Sequence, residues 1–165
     1  MVEYRDYNFA GKTMEFFVTH QTVEHYSGDC AVALVFKDKA HQNKDLQQLL
    51  ELNRFDAIVG ATLMLSRVDG YKTKRLLVVG LGISSLNEKN YIKVLNSLSS
   101  TLYDAKVKNV VIPDIQIDNR DESWIQLTTA RVLKNAIYQV EKVDAKEKNE
   151  KGTLEAVSIL SLIHI

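Results

Sequence analysis

Nine residues near the middle of the chain read Lys74-Arg75-Leu76-Leu77-Val78-Val79-Gly80-Leu81-Gly82. Two cations come first, four apolar residues follow without interruption, and two glycines close the run. An unbroken Leu/Val run bounded by glycine predicts a strand that is buried on both faces, as in the middle of an α/β sheet. A helical pattern follows, so this part of the chain is predicted to be a strand, a glycine turn and a helix.

Composition limits the class of protein. The chain has 165 residues, of which 45% are hydrophobic and 25% charged, as expected for one globular domain. Lys plus Arg number 21 and Asp plus Glu number 21, and this neutrality argues against a dedicated nucleic-acid binder. No apolar run approaches the ~18 residues of a membrane span, and no secretory signal is visible. The single cysteine, Cys30, cannot form an internal disulfide, so we expect a reducing compartment, the cytoplasm.

Five further segments have the composition of strands. They are rich in β-branched, aromatic and aliphatic residues and are bounded by turn signals. The predicted strands are Met14–Thr19, Cys30–Phe36, Thr62–Val68, Asn109–Pro113 and Thr153–Leu162. Asp69-Gly70 is a strong hairpin signal, so the strand before it and the strand after it are expected to be antiparallel neighbours.

Three segments have helical periodicity. The first runs from about Lys44 to Asn53, and the second starts after Asn87, a good N-cap. A third, long helix is predicted around Trp124 to Val140, with Asn119 and Glu122 as a capping box. The predicted order is strand, strand, helix, strand, strand, helix, strand, helix, strand. This order predicts an α/β fold: three α/β/α layers around a mixed, mostly parallel sheet of about six strands.

The expected domain boundaries follow from polarity. Residues 1–13 are polar and aperiodic and are interpreted as an extension outside the fold, disordered or left by cloning. Residues 14–162 are interpreted as one α/β domain and residues 163–165 as a tail. The mixed-charge segment 142–152 is interpreted as a linker before the last strand.

The two glycines of the central run are the first candidate for a ligand site, because glycine turns at strand ends often face phosphates. Gly80 and Gly82 lack the third glycine of a dinucleotide fingerprint, since position 85 is Ser85. The alternative is a turn that lets a helix pack close to the sheet, and this interpretation is preferred. Gly80 and Gly82 are therefore only weak cofactor candidates.

Other chemistry-bearing residues give no constellation. The histidines, His20, His25, His41 and His164, do not pair at metal-ligand spacing. Cys30 lies in an apolar strand, where a small buried thiol is the usual role. Ser84 and Ser85 follow the glycine turn without a nucleophile elbow around them. The sequence therefore predicts no catalytic residue and no metal ligand.

Three aspartates, Asp114, Asp118 and Asp121, follow a strand end, which is a position favoured for sites in α/β folds. The alternative is a solvated loop and a helix cap, and this interpretation is preferred because aspartate is a common capping residue.

Four segments together resemble the N-terminal domain of the leucyl (cytosol) aminopeptidase family, bacterial type. They are Met14-Glu15-Phe16, Arg75 to Gly82, Leu86 to Tyr91, and Asn119 to Trp124 with Ala136-Ile137-Tyr138. The likeness covers about residues 14–162. It implies a macro-domain-like fold and a place in a hexameric, cytoplasmic enzyme that releases N-terminal amino acids from peptides.

The resemblance also implies where the chemistry of such an enzyme lies. Two divalent metals, zinc or manganese, together with a lysine and an arginine act in a C-terminal catalytic domain that carries the signature Asn-Thr-Asp-Ala-Glu-Gly-Arg-Leu. No Asp-Ala pair of this chain continues into Glu-Gly-Arg. The chain is therefore expected to be an accessory and oligomerisation domain, inactive alone and partnered by the catalytic domain. The alternative is a macro-like module that binds ADP-ribose or a related nucleotide at the Gly80–Gly82 turn.

Overall fold

The computed structural model describes residues 3–9, 12–147 and 154–160. Within them, strands lie before, between and after three helices, and a short 3-10 helix lies at Val23–His25. The strands are β1 (Glu3–Phe9), β2 (Lys12–Thr19), β3 (Cys30–Val35), β4 (Thr62–Ser66), β5 (Arg75–Gly80), β6 (Asn109–Ile112) and β7 (Ala156–Leu160). The helices are α1 (Lys44–Leu52), α2 (Glu88–Asp104) and α3 (Glu122–Glu147).

All the described strands belong to one sheet, in the order β1-β2-β7-β6-β3-β5-β4. The inner pairings, from β2 through β7, β6 and β3 to β5, are parallel. The outer pairs, β1 with β2 and β4 with β5, are antiparallel. The predicted mixed, mostly parallel sheet and the antiparallel hairpin at Asp69-Gly70 are confirmed.

Side chains alternate between two cores, one on each face of the sheet. On β3, Cys30 and Val32 pack with residues of α2 and α3, whereas Ala31 and Ala33 pack on the opposite face with residues of α1. The central strand β5 divides in the same way, and Leu77, Val78 and Val79 are fully buried. A strand buried on both faces has to be apolar throughout, which explains the unbroken Leu/Val run. The predicted three layers are confirmed.

Of the two predicted helix caps, one is confirmed and the other is wrong. The Asn87 side chain accepts a hydrogen bond from the Asn90 N–H and caps α2 as predicted. The capping box at Asn119 is wrong. Asp121 accepts from the Trp124 N–H at 2.9 Å, while Asn119 lies in a turn with φ of +62°. Asparagine tolerates this left-handed conformation, so it serves the turn instead of the cap.

The structure differs from the expectation that residues 1–13 lie outside the fold. Glu3–Phe9 pair antiparallel with Lys12–Val18, from Glu3 opposite Val18 to Phe9 opposite Lys12. Tyr4, Tyr7 and Phe9 favour strands, a tendency that the polar residues between them conceal in the sequence. Residues 1–2 and 10–11 lie outside the described part, as do the tail 163–165 and the proposed boundary at residue 162.

The segment predicted as a linker, 142–152, is helical in its first part, because α3 continues to Glu147. Lysine, glutamate and alanine are good helix formers, so the helix does not need an apolar stripe to extend this far. Residues 148–153 lie outside the described part.

Candidate functional site

The Gly80–Gly82 turn lies at the carboxyl end of β5, and its backbone N–H groups are all engaged within the protein. The Gly80 N–H donates to the Ala61 carbonyl at 2.8 Å, and the Leu81 N–H donates to the Val35 carbonyl at 2.9 Å. The Gly82 N–H donates to the Ala57 carbonyl at 2.9 Å. None of these three donors is left over for a phosphate.

Close packing accounts for both glycines. A Cβ on Gly80 would lie 2.2 Å from the Ile58 carbonyl oxygen and 2.6 Å from the Ala57 carbonyl carbon, both backbone atoms. Gly82 has φ of +81°, which side-chain-bearing residues rarely adopt. The turn therefore lets the segment after α1 lie directly against the end of the central strand.

A cleft of about 510 Å³ opens beside this turn. It lies at the carboxyl ends of β3, β5 and β6, where open α/β sheets usually bind ligands. Its walls include residues from the loops that follow these strands: Phe36, Lys39, Leu81, Ser84, Pro113 and Asp114.

Hydrogen bonds join two of these loops beside the cleft. The Asp38 carboxylate accepts from the Ser84 N–H and from the Ser84 hydroxyl, each at 3.0 Å. The Lys39 ammonium donates to the Ser84 carbonyl at 3.1 Å and lies 4.4 Å from the centre of the Phe36 ring. The pKa of Asp38 is lowered, chiefly by the Ser84 N–H and further by the Ser84 hydroxyl and the Lys39 charge. We call Asp38, Lys39 and Ser84 together the Asp38 clasp.

The loop after β6 adds acidic side chains to the lining of the cleft. Asp114 follows β6, and partial burial together with the nearby Glu122 raises its pKa. Asp118 accepts from the Ser85 hydroxyl at 3.2 Å. Asp114 and Asp118 lie in the loop between β6 and α3, as predicted, and Asp121 caps α3.

His41 and Tyr71 also line the cleft. The Nδ1 atom of His41 accepts from the Asn43 N–H at 3.1 Å, and burial lowers the pKa of the ring despite the opposing charge of Glu24. Burial raises the pKa of Tyr71 to about 12, and Glu24 adds to this. Both rings are therefore neutral at pH 7.

The remaining sequence candidates do not converge on this cleft. His25 is hydrogen-bonded to Thr22, and His164 lies outside the described residues. Cys30 is fully buried, and burial raises the pKa of its thiol to about 12. Residues 3–9, 12–147 and 154–160 contain no group of three or more His, Cys, Asp or Glu residues that could hold a metal ion. The described residues thus do not fit a metal centre.

A second polar cluster, which the sequence analysis missed, lies at the amino ends of the parallel strands. The Asp29 carboxylate pairs with Arg75 through Nη2 at 2.7 Å and Nε at 3.3 Å, and it accepts from the Lys108 N–H at 3.0 Å. Arg75 Nη1 also donates to the Ala105 carbonyl at 2.6 Å. Each of these charges stands directly before or at the start of an apolar strand. That shared position was the available signal, since parallel strands begin at the same edge of a sheet.

Comparison with known proteins places this arrangement in a family. The family model described as the cytosol aminopeptidase family, N-terminal domain, matches residues 26–147. This chain belongs to the cytosol aminopeptidase family. A probable cytosol aminopeptidase of Vesicomyosocius okutanii is 34% identical over 148 residues, which is 90% of this chain and 31% of that relative. One from Nitrosomonas eutropha is 26% identical and is matched over 32% of its length.

This member of the family therefore spans about a third of the length of the relatives it matches. Among solved structures, a mutant of tomato leucine aminopeptidase has a TM-score of 0.64 at 21% identity, covering 98% of this chain and 35% of that chain. The Oceanobacillus iheyensis macrodomain with ADP has a TM-score of 0.62 at 12% identity, covering 98% of this chain and 90% of that chain. These likenesses show the fold alone, and they confirm the macro-domain-like architecture. None of the helices in the described part has the length and apolar character of a membrane span.

Proposed function

We propose that this chain is a non-catalytic accessory domain of a metal-dependent cytosol aminopeptidase. One observation carries the proposal: the match is to the N-terminal domain of the family, and it covers only about a third of the relatives' length. The remaining two thirds of such a protein hold the catalytic domain, which we propose as the partner of this chain. The two divalent metals implied by the family would be held there.

The charges around the cleft support an accessory role. A dinuclear peptidase needs several carboxylates that converge on two metals, so that water is acidified while the carbonyl is polarised. It also needs a cation beside the carbonyl oxygen. Here Asp38 and Asp118 are hydrogen-bonded to serines, and Lys39 donates to a backbone carbonyl. Among the described residues, no group of three or more acidic, histidine or cysteine side chains could hold a metal ion.

We further propose that the full-length protein assembles into a homohexamer in the cytoplasm, as the family resemblance implies. Size-exclusion chromatography with light scattering on a protein that includes the catalytic domain tests this part. A mass near six protomers is expected, and a monomer would contradict it.

The direct test is an assay of leucine p-nitroanilide hydrolysis by the purified chain at micromolar concentration. Zinc or manganese is supplied in parallel samples, and a chelator is added to a matched set. We expect no chelator-sensitive release of nitroaniline. Turnover that the chelator abolishes, and that follows the protein through purification, would overturn the accessory role.

A second candidate function is nucleotide binding, favoured by the position of the cleft and by the likeness to a macrodomain solved with ADP. Three observations oppose it. The N–H groups of the glycine turn are used internally, Asp38 already occupies the Ser84 N–H, and Asp114 and Asp118 repel a diphosphate. Titration calorimetry with ADP-ribose separates the two functions. We expect no measurable heat of binding, and micromolar affinity would favour the nucleotide module.

A further inference from the structure

The Asp38 clasp joins the two loops that frame the cleft. Asp38 belongs to the loop between β3 and α1, and Ser84 belongs to the loop between β5 and α2. The carboxylate engages Ser84 with both oxygens: Oδ1 accepts from the N–H and Oδ2 accepts from the hydroxyl. A two-oxygen contact to one N–H and one O–H is how an oxyanion binds to a protein loop.

We propose that Ser84 and Lys39 form an oxyanion-binding position at the mouth of the cleft, which the Asp38 carboxylate occupies as a resident anion. The ligand class is a phosphate-type oxyanion that displaces the carboxylate. Asp38 is then an internal competitor that keeps the position closed. This inference goes beyond the accessory role and does not depend on it.

The donors at this position suit an anion. A backbone N–H and a hydroxyl point to the same carboxylate, and the charge of Lys39 acts on it as well. Hydrogen bonds to an ionised acceptor are shorter and stronger than neutral ones. The lowered pKa of Asp38, caused first by the Ser84 N–H, agrees with donors that stabilise negative charge.

The resident carboxylate is also replaceable. Asp38, Lys39 and Ser84 are all exposed, so water and solutes reach the contact. Ser84 holds φ of +68°, a conformation that costs energy for a residue other than glycine and that aims its N–H at the clasp. Exchanging one anion for another would leave both hydrophobic cores intact, because none of the three residues belongs to them.

A bound oxyanion would lie beside the cleft and not on a distant surface. Ser84, Ser85 and Lys39 all line it, together with the Phe36 ring under the Lys39 ammonium. Displacing Asp38 would remove one link between the two loops, while the Lys39 ammonium and the Lys37 N–H still donate to the Ser84 and Gly82 carbonyls. The exchange therefore changes the anion at Ser84 and leaves the two loops joined.

The experiment is a titration of inorganic phosphate into the full chain at constant ionic strength, followed by the amide resonance of Ser84 in ¹H–¹⁵N spectra. The test variant is Asp38→Ala, which vacates the position. The matched control is Asp56→Ala, which removes another exposed aspartate, paired with Lys37 at 3.0 Å, and changes the net charge equally. If the clasp is closed about 90% of the time, vacating it strengthens apparent phosphate affinity about tenfold.

We expect a saturable shift of the Ser84 resonance in Asp38→Ala. In the wild type and in Asp56→Ala, the same shift should need at least about tenfold more phosphate to reach half of its full size. No phosphate-dependent shift in Asp38→Ala would overturn the oxyanion position. An equal response in all three proteins would overturn the role of Asp38 as resident anion. Should Asp38→Ala fail to fold, Asp38→Ser takes its place, because it lacks the carboxylate and has a shorter side chain with a single oxygen, and the same outcomes apply to it.

Discussion

Two aspartates of this domain accept a backbone N–H at the same distance, 3.0 Å, at opposite ends of the sheet. Asp29 accepts from Lys108 where the parallel strands begin, and Asp38 accepts from Ser84 where they end. Asp29 is only 22% exposed and is paired with the similarly covered Arg75. Asp38 is exposed, and so are Ser84 and Lys39 around it.

The difference shows how one type of contact serves two purposes. At the amino ends, Asp29 and Arg75 connect β3, β5 and the segment that enters β6, so losing either partner leaves a partly buried charge without its counterion. At the carboxyl ends, the clasp joins two loops that solvent reaches freely. We infer that the first end stabilises the fold and that the second can exchange partners.

The largest effect is expected at the carboxyl end of β5, where the backbone of another segment packs closely against Gly80. Gly80→Ala places a Cβ 2.2 Å from the Ile58 carbonyl oxygen, and backbone atoms cannot rotate away. We expect a loss of about 3 kcal/mol in the free energy of unfolding, measured with urea. The matched control is Gly70→Ala, whose nearest neighbour is the Asn43 side chain and whose cost is about 1–2 kcal/mol for its positive φ. Equal costs would show that the close approach at Gly80 is unimportant.

The second effect compares the two aspartates directly. Asp29→Asn removes the charge that Arg75 and the Lys108 N–H share, and we expect a loss of about 1–2 kcal/mol in urea unfolding at pH 7. Asp38→Asn is expected to leave the unfolding midpoint almost unchanged, because solvent replaces its contacts. The comparison fails if the two variants are destabilised equally.

The third effect is on pH dependence. Although partial burial alone would raise the pKa of Asp29, the Lys108 N–H and the Arg75 guanidinium lower it below the unfolded value of about 3.9. The ionised form is therefore preferred in the folded state, so its stabilisation is present above the unfolded pKa and is lost as pH falls through the folded one. We expect wild type and Asp29→Asn to differ in stability at pH 7 and to converge below about pH 4. If the free energies of unfolding of the two proteins, plotted against pH, stay parallel down to pH 3, this prediction is contradicted.

The smallest effect is expected at Asp114, whose pKa is shifted in the opposite direction from that of Asp29. Burial and then Glu122 raise the pKa of Asp114, so its ionised form is disfavoured in the folded state. Asp114 therefore destabilises the fold above its folded pKa, and this penalty disappears as pH falls below the unfolded value. Asp114→Asn is expected to raise the melting temperature slightly at pH 7 and not at pH 3. A lower melting temperature at pH 7 would show that Asp114 makes a stabilising contact.

The sequence predicts those parts of the fold that have a local signal. The unbroken apolar runs of β3 and β5 identify strands buried on both faces, and Asn87 identifies the start of α2. The order of the parallel strands has no such signal, because the pairing of β7 with both β2 and β6 depends on packing over long separations. Strand β1 was missed because its aromatic residues are interleaved with charges.

The candidate site was less predictable than the fold. Gly80 and Gly82 were identified as a turn, but the sequence cannot show that Ala57 and Ala61 take their N–H groups. Asp38 and Ser84 are 46 positions apart, and so are Asp29 and Arg75. Only the parallel alignment of the strands brings each pair together, and that alignment is a property of the folded sheet.

Hydrogen exchange of two backbone amides tests the difference between the two ends most directly. The N–H groups of Lys108 and Ser84 both donate to an aspartate, and both can be followed by NMR in the same sample. We predict that the Lys108 amide exchanges only through large-scale unfolding, while the Ser84 amide exchanges about a hundredfold faster through local opening of its loop. Equal protection of the two amides, or faster exchange at Lys108, would contradict the assignment of a structural role to Asp29 and an exchangeable one to Asp38.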